Sequence, residues 1–289
     1  MPNKTIDTLV EDIYNLFSSD FSVTHEEVEE FGKNLASIVV RRINEERGKS
    51  TLRMSNLGKP CDRQLWYDIN AHELGEKLDP STRMKFLFGD ILEELMLFLA
   101  HKAGHRVEGV QDTLEFEGIK GHRDAIIDGV QVDCKSASSY AYKKFKNHEL
   151  EGDDPFGYID QQNLYLEASK DDPRITNKKE FAFFVIDKAQ GHLCIDKYPA
   201  ASVNYKERVA QKKAMVNNSE RPGRGFVDEL DGKSGNKKLG TNCSYCAYKG
   251  VCWPNLQTFL YSSGPRFLTE VRREPKVQRD EHIDPVQGF

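Results

Sequence analysis

Between residues 113 and 138 apolar and polar side chains alternate with a period of two, and Asp128-Gly129 interrupts them as a two-residue hairpin turn. No other feature constrains the fold as tightly, because such a turn dictates which residues face each other across the strands. With Asp128 and Gly129 at the corner, Ile127 falls opposite Val130, Asp124 opposite Asp133, and His122 opposite Lys135. Alternation then puts His122, Asp124, Asp133 and Lys135 on one face and Ala125, Ile127, Val130, Val132 and Cys134 on the other. The second set reads as core and the first as chemistry. Two carboxylates directly opposite repel unless a cation lies between them, and oxygen ligands favour magnesium or manganese. The alternative is an exposed hairpin whose acids face water. Lys135 on the same face weighs against it, since a lysine there can orient a water and stabilise charge on a phosphoryl group.

The rest of the chain supplies enough apolar mass for a core around this hairpin: 289 residues, 38% hydrophobic and 30% charged. That length suits two domains or one elaborated α/β domain. No apolar run approaches the roughly 18 residues that span a bilayer. The first residues carry neither a long apolar core nor a small-residue cleavage site, so a cytoplasmic protein is expected. A net charge of -5 excludes a general nucleic-acid coat, and any DNA site must be local. Helical spacing predicts helices over 6–17, 25–46 (with Thr24 and Glu27 as a capping box), 84–103 and 156–168, and a short one opening at Cys61. Two further strands are expected over 181–186 and 192–198. Residues 206–240 read as basic and glycine-rich, and the charged stretch after Gly264 as a loosely ordered tail. The expected organisation is a helical N-terminal region (1–80), a core (81–200), a basic and cysteine-bearing segment (201–263) and the tail (264–289).

Four short motifs in order resemble the PD-(D/E)XK nuclease superfamily, specifically its RecB-like branch. Gly121-His122-Arg123-Asp124 matches the branch's glycine-x-x-aspartate strand and Asp133-Cys134-Lys135 its D/E-x-K strand. Gly89-Asp90-Ile91-Leu92-Glu93 resembles its upstream helix motif, and Gln161-Gln162-Asn163-Leu164-Tyr165 its Q-x-x-x-Y helix. Each is weak alone; four in family order are specific. The resemblance implies a restriction-endonuclease-like α/β core, a central mixed sheet flanked by helices. It makes Glu93 a third acid beside Asp124 and Asp133 around Mg2+ or Mn2+, with the Cys134 backbone carbonyl as a further ligand. Gln161 and Tyr165, one helical turn apart, would face the substrate strand. Glu94 reads as the solvent acid of the pair, and His122 as a surface residue or an outer-sphere group.

Cys243, Cys246 and Cys252 form C-x2-C-x5-C and need a fourth ligand. Cys134 and Cys194 lie in strand patterns and read as buried hydrophobes. Cys61 is the natural candidate, in a Gly-Lys-Pro-Cys-Asp-Arg context that resembles the first cluster cysteine of RecB-like nucleases of the AddB and CRISPR-adaptation types. That resemblance implies a structural [4Fe-4S] cluster, whereas spacing alone equally suits zinc.

Between residues 135 and 148, Tyr140, Tyr142 and Phe145 interleave with Lys143, Lys144 and Lys146, and no acid intervenes. Cations on phosphates and rings on unpaired bases would suit single-stranded DNA. The alternative is that the rings enter the core beneath a solvated lysine face. Together these features lead us to expect a metal-dependent exonuclease acting on single-stranded DNA or DNA ends. Its setting would be replication, recombination or repair, with proteins of those processes as partners and no membrane. The alternatives are a structure-selective or CRISPR-adaptation endonuclease, or a non-catalytic DNA-end-binding module.

Overall fold

The computed structural model describes residues 4–18, 21–45, 50–77 and 79–280. Helices α1 (Leu9–Leu16) and α2 (His25–Asn44) open the chain, and the expected capping box is present: the Thr24 hydroxyl accepts from the Glu27 amide while Glu27 accepts from the Thr24 amide at 2.7 Å. The short α3 (Met54–Leu57) precedes α4 (Asp62–Asn70), for which Cys61 is the N-cap residue. Next comes α5 (Pro80–Lys102), which starts a turn earlier than its apolar pattern suggested because Asp79 caps it and Pro80 suits its first turn.

The strands that follow are β1 (Val107–Glu108), β2 (Thr113–Phe116), β3 (Ile119–His122), β4 (Ala125–Ile127) and β5 (Val130–Ala137). Asp128 and Gly129 both adopt positive φ, as the β4–β5 corner requires, and the register is the expected one from Ile127 opposite Val130 to Ala125 opposite Val132. Glycine is obligatory at 129, where a Cβ would stand 2.0 Å from Thr176 Oγ1. Beyond Ala125 the expected ladder stops. A second turn, Glu117-Gly118, folds β3 back on β2, so His122 lies opposite Thr113 and not opposite Lys135. Arg123 causes the break: it is fully buried and bonds Asp112, Asp172 and Ser169, which turns the chain between β3 and β4.

After β5 come α6 (Ser139–Lys146), α7 (Tyr158–Ala168), β6 (Glu180–Asp187) and β7 (Leu193–Pro199). The central sheet has the order β1-β4-β5-β6-β7, with β5 and β6 parallel and the other pairs antiparallel. Parallel neighbours need a crossover, and α6 and α7 supply it. Val130, Val132 and Cys134 of β5 pack with α1 and α5 residues such as Leu9, Ile13 and Met96. The opposite face, expected to carry chemistry, is covered as well: Ile126 packs with Leu166 and Ile175, and Asp133 is 2% exposed, so the exposed-hairpin alternative does not hold. The protein is thus a mixed α/β fold with a central mixed sheet flanked by helices.

The C-terminal third is more ordered than its composition suggests. Residues within the basic stretch form α8 (Tyr205–Asn217), which packs on α4 through Trp66 Nε1 donating to Asn218 O and Asn70 to Val216 O. Then come β8 (Glu229–Leu230), β9 (Lys237–Lys238), α9 (Thr241–Ser244), α10 (Lys249–Cys252), β10 (Gln257–Tyr261), β11 (Gly264–Glu270) and β12 (Arg279–Asp280). The five strands form a second sheet, β12-β10-β11-β9-β8. The expected loose tail is therefore wrong over 264–280, where Phe267 and Leu268 are buried; its remainder, 281–289, lies outside the described residues.

Candidate active site and cysteine cavity

Beyond the end of the β4–β5 ladder, Asp124 turns its carboxylate onto β5, where Oδ2 accepts the Cys134 amide at 2.8 Å. Asp133, one residue earlier on β5, pairs with Lys135. Glu93 arrives from α5 and accepts from Gln111 Nε2 at 2.5 Å. Three acids and a lysine thus share one electrostatic environment. Burial, then the Asp133 and Glu93 charges, raises the Asp124 carboxyl well above its ordinary range. Burial and Asp133 push Glu93 up to about 7, against the lowering bond from Gln111. Burial disfavours the charge on Lys135, but Asp133 and Asp124 outweigh it and hold the ammonium protonated above the usual lysine range. The neighbouring Glu94 instead accepts from Asn34 of α2 at 2.8 Å. Among the described residues, no three His, Cys, Asp or Glu side chains are drawn close enough to grip a bare ion.

The Glu93 shift sets a pH dependence. Below about 4.5 its carboxyl is neutral folded and unfolded; between about 4.5 and about 7 only the unfolded chain releases the proton. Its contribution to stability is therefore present at low pH and lost as pH rises through that window. Denaturant melts of metal-free protein should show this loss, and Glu93→Gln should flatten it.

On α7, Gln161 Nε2 donates to the Tyr165 hydroxyl at 3.3 Å, so the two expected residues do meet. Burial, then Asp133 and Asp124, raises the Tyr165 phenol. The glutamine that touches the acids is the next one. Gln162 is fully buried, donates to Asp133 Oδ1 at 2.8 Å and accepts from Gln131 Nε2 at 2.9 Å. Because Gln131 can only donate through that nitrogen, the Gln162 amide is locked with its own NH2 towards Asp133. Sequence reasoning missed Gln162 and Gln111; nothing in the periodicity separates Gln162 from Gln161. The register of α7 decides it, set by Gly157, a left-handed N-cap where a Cβ would stand 2.1 Å from Gly58 O. Gln162→Leu should cost about 1–3 kcal/mol in a denaturant titration, since it strips buried partners from Asp133 and Gln131.

The expected DNA-binding helix α6 divides. Tyr142 and Phe145 belong to the core, and the Tyr142 hydroxyl donates to Leu193 O at 3.0 Å, so Tyr142 is corrected from DNA contact to packing. Lys144 is engaged by Asp153 and lies 5.2 Å from the Tyr140 ring centroid. Tyr140, Lys143 and Lys146 remain exposed.

Cys61, Cys243, Cys246 and Cys252 line one cavity beside Arg224 and Trp253. Burial raises the Cys243 thiol and pushes Cys246 up to about 12. All four are free of disulfides. Gly225 presses close, where a Cβ would stand 3.2 Å from Cys61 Sγ. Arg224 Nε donates to Cys252 O at 3.0 Å while its guanidinium lies 4.1 Å from the Trp253 ring centroid. The excluded cysteines sit elsewhere, Cys134 in the core and Cys194 half-buried on β7.

No family model matches the chain, and no curated protein matches it. Among solved structures, the crystal structure of SSO0001 is similar over 78% of this chain and 96% of that one, with 18% identity and a TM-score of 0.42. A likeness that distant carries no argument about function. No helix among the described residues is long and apolar enough to cross a membrane.

Proposed function

We propose that this protein is a divalent-metal-dependent nuclease with a restriction-endonuclease-like core, hydrolysing phosphodiester bonds in single-stranded DNA or at DNA ends. The observation that carries the reading is that Glu93 of α5, Asp124 of the β3–β4 link, and Asp133 and Lys135 of β5 act on one another's charges in a buried setting that raises two of the acids. Acids that repel one another this way fit a cation. Glu93, Asp124, Asp133 and the Cys134 carbonyl would hold Mg2+ or Mn2+, which supplies a water acidic enough to attack phosphorus near neutral pH. Lys135, held protonated, meets the charge that grows on the phosphoryl oxygens. Gln162 keeps Asp133 in one orientation while Gln111 holds Glu93. Gln161, half-buried, would donate to the strand, whereas Tyr165 is 2% exposed among Met54, Leu57 and Leu164 and is corrected from a strand contact to a buried support for Gln161.

The four cysteines fit a structural [4Fe-4S] cluster, with zinc as the alternative, because they share one cavity although Cys61 comes from the opposite end of the chain. End-labelled single-stranded DNA incubated with Mg2+ or Mn2+ tests the nuclease reading: stepwise shortening supports it, and intact DNA in both metals rejects it. A circular single strand separates the exonuclease from an endonuclease of structure-selective or CRISPR-adaptation type, since only the latter opens it.

A further inference from the structure

Three aromatic rings run from the cysteine segment to the carboxylate site. Tyr245, between Cys243 and Cys246, has its ring centroid 6.0 Å from that of Phe156, on the loop leading into α7. Phe156 lies 5.5 Å from Tyr158, and the Lys135 ammonium lies 4.8 Å from the Tyr158 centroid. Tyr158 is half-buried and leans on Phe183, so packing accounts for it. Packing does not account for the outer two, which are 75% (Tyr245) and 45% (Phe156) exposed. The rings meet at 64° and 35° rather than in a closed parallel stack, and the two outer ones keep much of their surface in solvent.

We propose that Tyr245 and Phe156 form a stacking platform for unpaired bases, leading a single strand of nucleic acid past Tyr158 to Lys135 and the three acids. The platform rests on the nuclease reading for the fate of the strand, and not for its binding. Bases in a duplex hide their faces in the stack, so isolated surface rings select unpaired ones. Charge agrees with stacking as the contact here. The loop before Phe156 carries Asp153 and Asp154, the first engaged by Lys144 and the second by the Ile159 amide at 2.9 Å, which makes it a poor track for phosphates alone. The cation needed for a phosphate stands at the end of the track, at Lys135.

Fluorescence anisotropy with fluorescein-labelled oligothymidine, in EDTA to prevent cleavage, tests this on the full chain. Tyr245→Ala and Phe156→Ala should each weaken binding about tenfold. Tyr245→Phe and Phe156→Trp should bind like the wild type, which guards against a variant that merely unsettles the cysteine cavity. An abasic strand of equal length should bind the wild type weakly and lose nothing further in the alanine variants. Wild-type affinity for oligothymidine in both alanine variants, or an equal loss on the abasic strand, overturns the platform. If no metal supports cleavage yet binding still depends on the rings, the nuclease reading fails and the platform stands; cleavage with ring-independent binding removes the platform and leaves the nuclease reading intact.

Discussion

Lys135→Ala is expected to slow phosphodiester cleavage by about 10²–10³-fold, the loss typical of removing one preorganised partner of transition-state charge. Binding of single-stranded DNA should weaken only modestly, because the lysine meets one phosphoryl group. The substitution also removes the ammonium that pairs with Asp133 beside Asp124 and Glu93. Metal-free Lys135→Ala should therefore unfold at lower denaturant than the wild type, and Mg2+ or Mn2+ should recover much of the difference by neutralising the same acids. Asp133→Ala should abolish cleavage by another route, since it takes away a candidate ligand. Either variant cutting end-labelled DNA at near wild-type rate would remove these residues from the reaction.

Cys61→Ser should lose visible absorbance and soluble yield together. Its thiol comes from the N-terminal cap of α4, and the other three from α9, α10 and the turn between them, so a group bound by all four ties segments far apart in the chain to one another across the central sheet region. Closing so long a loop costs chain entropy that metal–thiolate bonds offset, and losing one ligand forfeits much of that gain. Cys194→Ser should be mild by comparison, because Cys194 is half-buried on β7 and away from the cavity. Anaerobically purified wild-type protein should be brown. Colourless protein with stoichiometric zinc would keep the four ligands and change the metal. Protein with neither metal, and a Cys61→Ser variant as stable as the wild type, would leave the cavity as packing.

Local rules account for what could be read from the chain alone. A two-residue turn with positive φ at Asp128 and Gly129 dictates the pairing of β4 with β5 wherever the rest of the protein lies. Thr24 and Glu27 likewise cap α2 through bonds within four residues. Asp133 and Lys135 could be put forward as candidates on one strand face, Glu93 through the motif resemblance and the cysteines through their spacing, because these are local quantities. The expected facing of Asp124 and Asp133 across the ladder went with the end of that ladder at Ala125. Long-range contacts decided the rest. Arg123 left the ladder because only burial against Asp112 and Asp172, from two other segments, makes the break favourable, and with it went the pairing of His122 with Lys135. Gln162 rather than Gln161 touches Asp133 because the approach of Gly157 to Gly58 sets the rotation of α7. Tyr142 went to the core because its partner Leu193 lies outside any local window, whereas β10 and β11 pair as a local hairpin over residues 262–263 that the charged composition masked, and β9 from further back in the chain extends it into a sheet. Sequence determined which groups are present and how each short segment is paired or capped. Tertiary structure decided which of them meet, because burying a charge or an amide is favourable only when distant segments supply its partners.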